Sequence, residues 1–267
     1  MPGVSNRRRI TSRFWQTLPL VLSLAAAVGL WGAVNRWGSL PDFILPSPAM
    51  VLDRFFAAVR DGSLLRNSLA TLLEVFAGLA VGSLMATLMG YALAKSKTAE
   101  QVLSPFLVAS QAVPVVAIAP LLVIWFGSGI FSKILICSLV VFFPILVNTV
   151  VGVRSVPDNL RDLMRSLNAT RLQTIRYLEL PAALPVLLGG LRIGATLSVI
   201  GAVVGEFAGA DRGLGFLVNV GRGQYDTAMV FVAVLMLILM AVILYGIVAL
   251  VEKRVLRWKM DSFDRYL

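Results

Sequence analysis

Along the chain, apolar residues come in long runs separated by short polar breaks. A bilayer core needs roughly 20 mostly apolar residues per helix. Six runs qualify, at about residues 17–34, 68–94, 102–127, 132–153, 183–205 and 227–251. None alternates in polarity as the roughly ten-residue strands of a membrane barrel do. The pattern predicts an all-α polytopic bundle of about six transmembrane helices. It divides into a tail over 1–16, a first span with an interfacial segment over 17–66, the main membrane domain over 67–251 and a second tail over 252–267.

The first run follows Arg7, Arg8 and Arg9, as the apolar region of a signal peptide does. Its length, and Trp31 and Trp37 near its far end, favour a retained helix with interfacial anchors over a cleavage site. In the following segment, Pro46 and Pro48 predict a turn, and Pro48–Arg60 a short amphipathic helix. Val51, Phe55, Phe56 and Val59 share a face there, suited to the outer membrane surface.

Residues 154–181 break the apolar pattern differently. Asp158 is the expected N-cap of a first short helix. Leu160, Leu163, Met164 and Leu167 then form one helical stripe, with Arg161, Asp162 and Arg165 off it. Asn168 tolerates the left-handed conformation that ends helices. Thr170-x-x-Gln173 is a capping box that starts a second helix, striped by Leu172, Ile175 and Leu178. Pro181 stops that helix or opens the next span. These stripes either pack on the ends of the spans or dock a separate subunit, and periodicity leaves the two readings level.

Composition supports the membrane assignment. Only 14% of residues are charged and the mean hydropathy is +0.85, whereas a soluble domain is about a quarter charged. The net charge of +10 raises nucleic acid as a partner, but the basic residues cluster at the ends of apolar runs, where cytoplasmic flanks are basic. With the N-terminus inside, the inner segments hold Arg7, Arg8, Arg9, Arg13, Lys95, Lys97, Arg154, Arg161, Arg165, Arg171, Arg176, Lys253, Arg254, Arg257, Lys259 and Arg265, most of the 24 basic residues. Both termini and the 154–181 segment are therefore expected in the cytoplasm, although Arg36, Arg54, Arg60 and Arg66 run against the bias. There is no histidine and one cysteine, Cys137, so neither a disulfide framework nor a zinc site is expected. Cys137 reads as a small buried hydrophobe.

Within the spans, Gly78/Gly82, Gly190/Gly194 and Gly201/Gly205 are GxxxG pairs, expected to build the bundle and its dimer. Gln111, Pro114 and Pro120 in the third run, and Pro144 and Asn148 in the fourth, are either packing features or the lining of a translocation path. Glu74, Arg192 and Glu206 are read as the ionisable residues within or at the ends of spans, where charge is costly. Arg192 can snorkel to the cytoplasmic end only at a stretch, and Glu206, ending the fifth span at the outer surface, reads either as merely solvated or, like Glu74 and Arg192, as a gating or pathway residue. Gln111, Asn148, Arg192 and Glu206 are the candidate path residues.

The segment from Asp162 to Pro181 resembles the EAA loop of the inner-membrane permeases of ATP-binding-cassette (ABC) importers. That pattern is Glu-Ala-Ala, three residues, Gly, nine residues, Ile, any residue, Leu-Pro. Asp162, Leu163 and Met164 stand at its start, Asn168 at the glycine, Leu178 at the isoleucine, and Leu180-Pro181 at its end. The spacing holds throughout, and each departure keeps an acid, a helix former, a helix terminator or an apolar anchor in place. The resemblance covers about residues 67–251. It leans to the branch for nitrate, sulfonates, taurine and vitamin-like molecules; APLLVIWFGSGIFSKI and IGAVVGEFAGADRGLGFL are closest in texture to permeases for thiamine-precursor pyrimidines or riboflavin.

The resemblance implies a type I importer permease fold, a homodimer in the lipid bilayer, ABC ATPase subunits and an extracytoplasmic substrate-binding protein. It implies coupling to the ATPase through Asp158, Leu160, Asp162, Leu163, Met164, Leu167, Asn168, Leu172, Ile175, Leu178, Leu180 and Pro181. No G-x-x-x-x-G-K-[ST] phosphate loop occurs, so ATP and Mg²⁺ are expected on the partner ATPase, no cofactor on this chain, and no enzymatic activity. An ATP-independent channel or secondary transporter is the alternative outside this class, but no inverted repeat of that kind is evident.

Overall fold

Three long helices carry the bundle: α3 (Ser63–Lys95), α6 (Ile130–Arg154) and α9 (Leu180–Gly209). The computed structural model describes residues 7–38, 41–111 and 114–257, without the side chains of 7–18, 20, 21, 24, 97, 106–108, 110 and 111. Every regular element among the described residues is helical. Before the trio stand α1 (Arg7–Trp37) and α2 (Pro48–Arg60). Between α3 and α6 lie α4 (Lys97–Gln111) and α5 (Val115–Phe126). After α6 come α7 (Asp158–Ser166) and α8 (Arg171–Thr174), and after α9 come α10 (Leu214–Gly223) and α11 (Thr227–Val255).

α6 lies between α3 and α9, and glycines set the spacing on both sides. A Cβ on Gly82 would stand 2.8 Å from the Ser138 carbonyl oxygen, and one on Gly201 2.8 Å from the Cys137 Cα. Gly194 and Gly205 face Ile145 and Lys133 in the same way. Small residues let backbones approach where lipid supplies no hydrophobic drive between helices. Cys137 is fully buried between Gly78 and Gly201, its thiol donating to the Ser198 carbonyl at 3.3 Å. All three GxxxG pairs thus pack against α6, as expected of residues that build the bundle.

The outward faces invert soluble practice. Leu65, Leu69 and Leu73 on α3, and Leu235, Ile238, Leu239 and Val242 on α11, are exposed. In a bilayer such faces need no protein cover, because apolar side chains are at home in lipid and only polar groups demand partners there. Four helices among the described residues are long and apolar enough to cross a membrane: α3, α6, the continuous helix Arg171–Gly209, and α11.

The third run is not one span. α4 ends at Gln111 and α5 starts at Val115, with Pro114 extended before it. Proline lacks the N–H of a helix interior, and the twelve residues of α5 reach only about 18 Å.

α2 forms with the expected bounds, Ser47 capping it at Met50 N and Pro48 in its first turn. Its face is not the expected one. Val51, Phe55 and Ala58 turn to the bundle, while Phe56 and Val59 are exposed. Asp61 closes the turn into α3; hydrogen bonds from Ser63 hold its carboxyl below the ordinary carboxylate range.

α1 is tied down through Trp31, which stacks on Phe231 of α11 at 5.2 Å and donates its indole N–H to the Pro46 carbonyl. Trp37 is 83% exposed, as an interfacial anchor would be in the isolated chain. Arg54, one of the four arginines that ran against the charge bias, pairs with Asp226 at 2.7 Å. Asp226 also caps α11 by accepting the Met229 N–H.

Gly82→Ala and Gly201→Ala are expected to lower the thermal midpoint of the detergent-solubilised protein, overpacking costing about 1–3 kcal/mol. Gly246→Ala, where nothing lies within 4 Å of the added carbon, is expected to hold or raise it by helix propensity worth up to about 1 kcal/mol. Equal shifts at all three sites would contradict the packing described.

Candidate functional site

Asp158 occupies the first turn of α7, while Pro157 holds the cap position with extended backbone and no side-chain acceptor. The expected Asp158 N-cap is therefore one residue out of place. Its carboxylate faces the positive helix end and pairs with Arg161 at 3.2 Å. Asp162 pairs with Arg165 at 3.0 Å along the same surface.

Asn168 takes the left-handed conformation, φ 49°, and the Ala169 N–H returns to the Met164 carbonyl at 3.0 Å. Asparagine thus performs the task of a helix-ending glycine. The Thr170–Gln173 capping box is complete, Gln173 N donating to Thr170 Oγ1 at 3.3 Å and Thr170 N to Gln173 Oε1 at 2.7 Å.

Most of the apolar stripe faces outward. Leu160 is 40%, Leu163 52%, Leu167 67% and Leu172 73% exposed. Met164, Ile175 and Leu178 are half-buried, so the second stripe leans partly on the bundle. The segment is anchored from below by buried Val153 and Val156 and by Arg161 Nη2 on the Val153 carbonyl at 2.9 Å. Arg154 pairs with Glu100 of α4 at 2.5 Å. Pro181 does not stop the second helix. A π turn over Ile175–Glu179 joins α8 to α9, Leu180 is exposed, and Pro181 sits half-buried in the first turn of α9.

The opposite end of the trio carries a buried polar cluster. Glu206 is 1% exposed, against the solvated reading. It accepts the Thr71 hydroxyl at 2.6 Å and the Gly215 N–H. Thr71 Oγ1 in turn accepts the Leu214 N–H at 2.8 Å, and Asn67 Oδ1 the Gly213 N–H at 2.7 Å. Three orphan N–H groups at the start of α10 are thereby satisfied from α3 and α9. A Cβ on Gly213 or Gly215 would collide with the Glu206 carboxyl.

Glu74, 2% exposed, pairs with Lys133 at 3.5 Å. Lys133 is the ionisable span residue that sequence reasoning passed over; it sits one turn into α6 and is 2% exposed. Beside this cluster opens a cleft of about 470 Å³ lined by Glu74, Ser128, Gly129, Lys133, Asp211 and Arg212, among others.

The family of binding-protein-dependent transport system inner membrane components matches residues 78–257, most of the chain. The chain belongs to that family. It is the permease subunit of an ABC importer, a multi-pass protein of the inner membrane. The permease is 45% identical to the riboflavin transport system permease protein RibX of Chloroflexus aurantiacus, over 96% of each chain. It is 34% identical to the formylaminopyrimidine transport permease protein ThiX of Halalkalibacterium halodurans, over 92% of this chain and 98% of that one. It is 30% identical to the taurine transport system permease protein TauC of Escherichia coli, over 94% of each. In fold it matches the inward-facing MetNI methionine ABC transporter at TM-score 0.57, with 23% identity, covering 74% of this chain and 96% of that one.

The candidate path residues are not gathered in one place. The Gln111 side chain lies outside the described residues. Asn148 donates to the Pro144 carbonyl at 2.8 Å, one turn back on its own helix, and packs on Gly190. Arg192 pairs with Glu252 of α11 and lies over the Tyr245 ring at 5.3 Å. It thus reaches toward the α7 end, where a carboxylate from α11 shortens the stretch. Glu206 belongs to the cluster at the far end. Among the described residues no group of acids, cysteine or histidine could hold a metal ion.

Glu206→Ala is expected to destabilise the permease strongly, since breaking a buried charged network costs about 3–5 kcal/mol. Asp211→Ala, exposed at the same end, should leave the midpoint within error. A Glu206→Ala protein with the wild-type midpoint would contradict the cluster.

Proposed function

We propose that this permease imports riboflavin or a closely similar vitamin-like nutrient, as a homodimer in the lipid bilayer of the inner membrane. Both termini and the 154–181 segment lie in the cytoplasm. Two separate ABC ATPase subunits hold ATP and Mg²⁺, an extracytoplasmic substrate-binding protein delivers the nutrient, and this chain holds no cofactor and hydrolyses nothing.

The observation that carries the coupling role is the outward stripe of Leu160, Leu163, Leu167 and Leu172. Burying one leucine is worth about 1.5–3 kcal/mol, so a few of them seated in a groove on the ATPase hold a firm joint. Met164, Ile175, Leu178 and Pro181 stiffen the segment behind that stripe, exposed Leu180 extends its apolar surface, and Asp158 and Asp162 rim it with charge. Asn168 fixes the angle between the two short helices. ATP-driven closure of the ATPase pair then pushes α7 as a rigid body, and the bundle alternates between outward-open and inward-open states. Gln111, Asn148, Arg192 and Glu206 remain the candidate path residues.

Riboflavin is favoured by the 45% identity to the Chloroflexus permease over nearly the whole chain. The 34% identity to the formylaminopyrimidine permease favours a pyrimidine as the second reading, ahead of taurine, aliphatic sulfonates or nitrate.

Leu163→Asp with Leu167→Asp should abolish co-purification of the ATPase while the permease still inserts in the membrane; unchanged capture would contradict the docking role. The binding protein that co-purifies with the permease should gain thermal stability with riboflavin. Stabilisation by formylaminopyrimidine, taurine or nitrate alone would reassign the substrate.

A further inference from the structure

Glu179 stands near the C-terminal end of the docking segment, between Leu178 and Leu180-Pro181, yet it is 2% exposed. Its carboxylate accepts the Tyr91 hydroxyl at 2.9 Å and the ammonium of Lys95. Both partners lie on the last turns of α3, four residues apart and so on one helical face. Lys95 also lies over the Tyr91 ring at 5.4 Å. A carboxylate buried to this depth is tolerated only when paired and hydrogen-bonded, and both partners come from outside the segment that carries it.

The backbone around Glu179 is built to turn it inward. The π turn over Ile175–Glu179 closes with the Leu180 N–H on the Ile175 carbonyl, five residues back. The widened turn makes room for Pro181, whose ring would press on the carbonyl four residues before it in a regular helix.

Apolar packing does not fill the joint. On one side lies a cavity of about 160 Å³ lined by Tyr91, Thr149, Val153, Glu179 and Leu187, among others. On the other opens a cleft of about 790 Å³ lined by Lys95, Arg161, Arg165, Arg171, Ile175 and Glu179, among others. The carboxylate and its two donors are what join the segment to α3 between these spaces.

We infer that Glu179 is a positioning residue that clasps the docking segment to α3 through Lys95 and Tyr91, so that a push on α7 moves α3 together with α6 and α9. The inference rests on the ATPase coupling proposed above. A charge-assisted hydrogen bond is roughly twice as strong as a neutral one, which suits a joint that must carry load without close packing. Without the clasp, the ATPase still docks on the outward leucines and still turns over, but its stroke is spent bending the segment about the π turn.

The test uses the whole importer, permease with ATPase and binding protein, reconstituted in proteoliposomes, with ATP hydrolysis and riboflavin uptake measured in parallel. Glu179→Ala and Lys95→Ala should each cut uptake about tenfold while ATP hydrolysis stays within about twofold, a coupling loss of ordinary allosteric size. The double variant should be no worse than Glu179→Ala alone, because that substitution already removes the Lys95 pair, and Lys95→Arg should restore uptake. Hydrolysis and uptake falling in proportion, as a merely structural residue requires, would overturn the clasp, as would unchanged uptake. A wild-type importer without ATP-driven uptake would instead overturn the proposed function on which the clasp depends.

Discussion

The close approach of α3 and α9 to the two faces of α6 is the constraint on which the rest of the molecule depends. In a bilayer, leucine gains nothing by leaving lipid for another helix. Affinity between the spans has to come from contact area and buried polar bonds, and both require the backbones to be near. Gly82 and Gly201 let α6 be flanked at backbone distance on both sides, and Cys137 fits in that gap because it is small. Side-chain groups fasten the trio at both ends once the backbones are this close. Glu206, Thr71 and Asn67 hold α10 at one end, and Glu179, Tyr91 and Lys95 hold the docking segment at the other.

Charge buried in a membrane protein is expensive, and this permease concentrates it at those two ends. Glu74, Lys133 and Glu206 share one cluster, and the N–H groups at the start of α10 add their dipoles to it. Arg192 is the exception in mid-helix, and it reaches Glu252 near the end of α11. The middle of the trio is left to small and apolar side chains packed at backbone distance. Small side chains in the middle and polar joints at the ends suit the rigid-body push proposed for α7.

Local chemistry was legible in the sequence wherever a residue acts on its own neighbourhood. Pro48 opens α2, Thr170 and Gln173 form their reciprocal cap, and Asn168 turns left-handed, because each needs only residues three or four positions away. The Asp158 cap was misread by one residue because Pro157 is already extended and takes the cap position. The third run was misread because apolarity measures affinity for lipid, not helix continuity, and Pro114 decides the latter. Glu206 and Lys133 were illegible because their burial is conferred by partners distant in sequence; Thr71 is 135 residues from Glu206. Glu179 was hidden in the same way, at a place where the family pattern allows any residue. The one available signal was an acid set among apolar anchors just before the Leu-Pro.

The central claim is that the leucine stripe of α7 faces the cytoplasm and is covered by the ATPase rather than by its own bundle. Cysteine labelling in membrane vesicles tests it most directly, because native Cys137 is fully buried and therefore silent to a membrane-impermeant maleimide. With Leu163→Cys, the account predicts labelling in inverted vesicles, none in right-side-out vesicles, and protection in inverted vesicles when the ATPase is co-expressed. Absence of labelling in inverted vesicles without the ATPase, or labelling that the ATPase leaves unchanged, would contradict it.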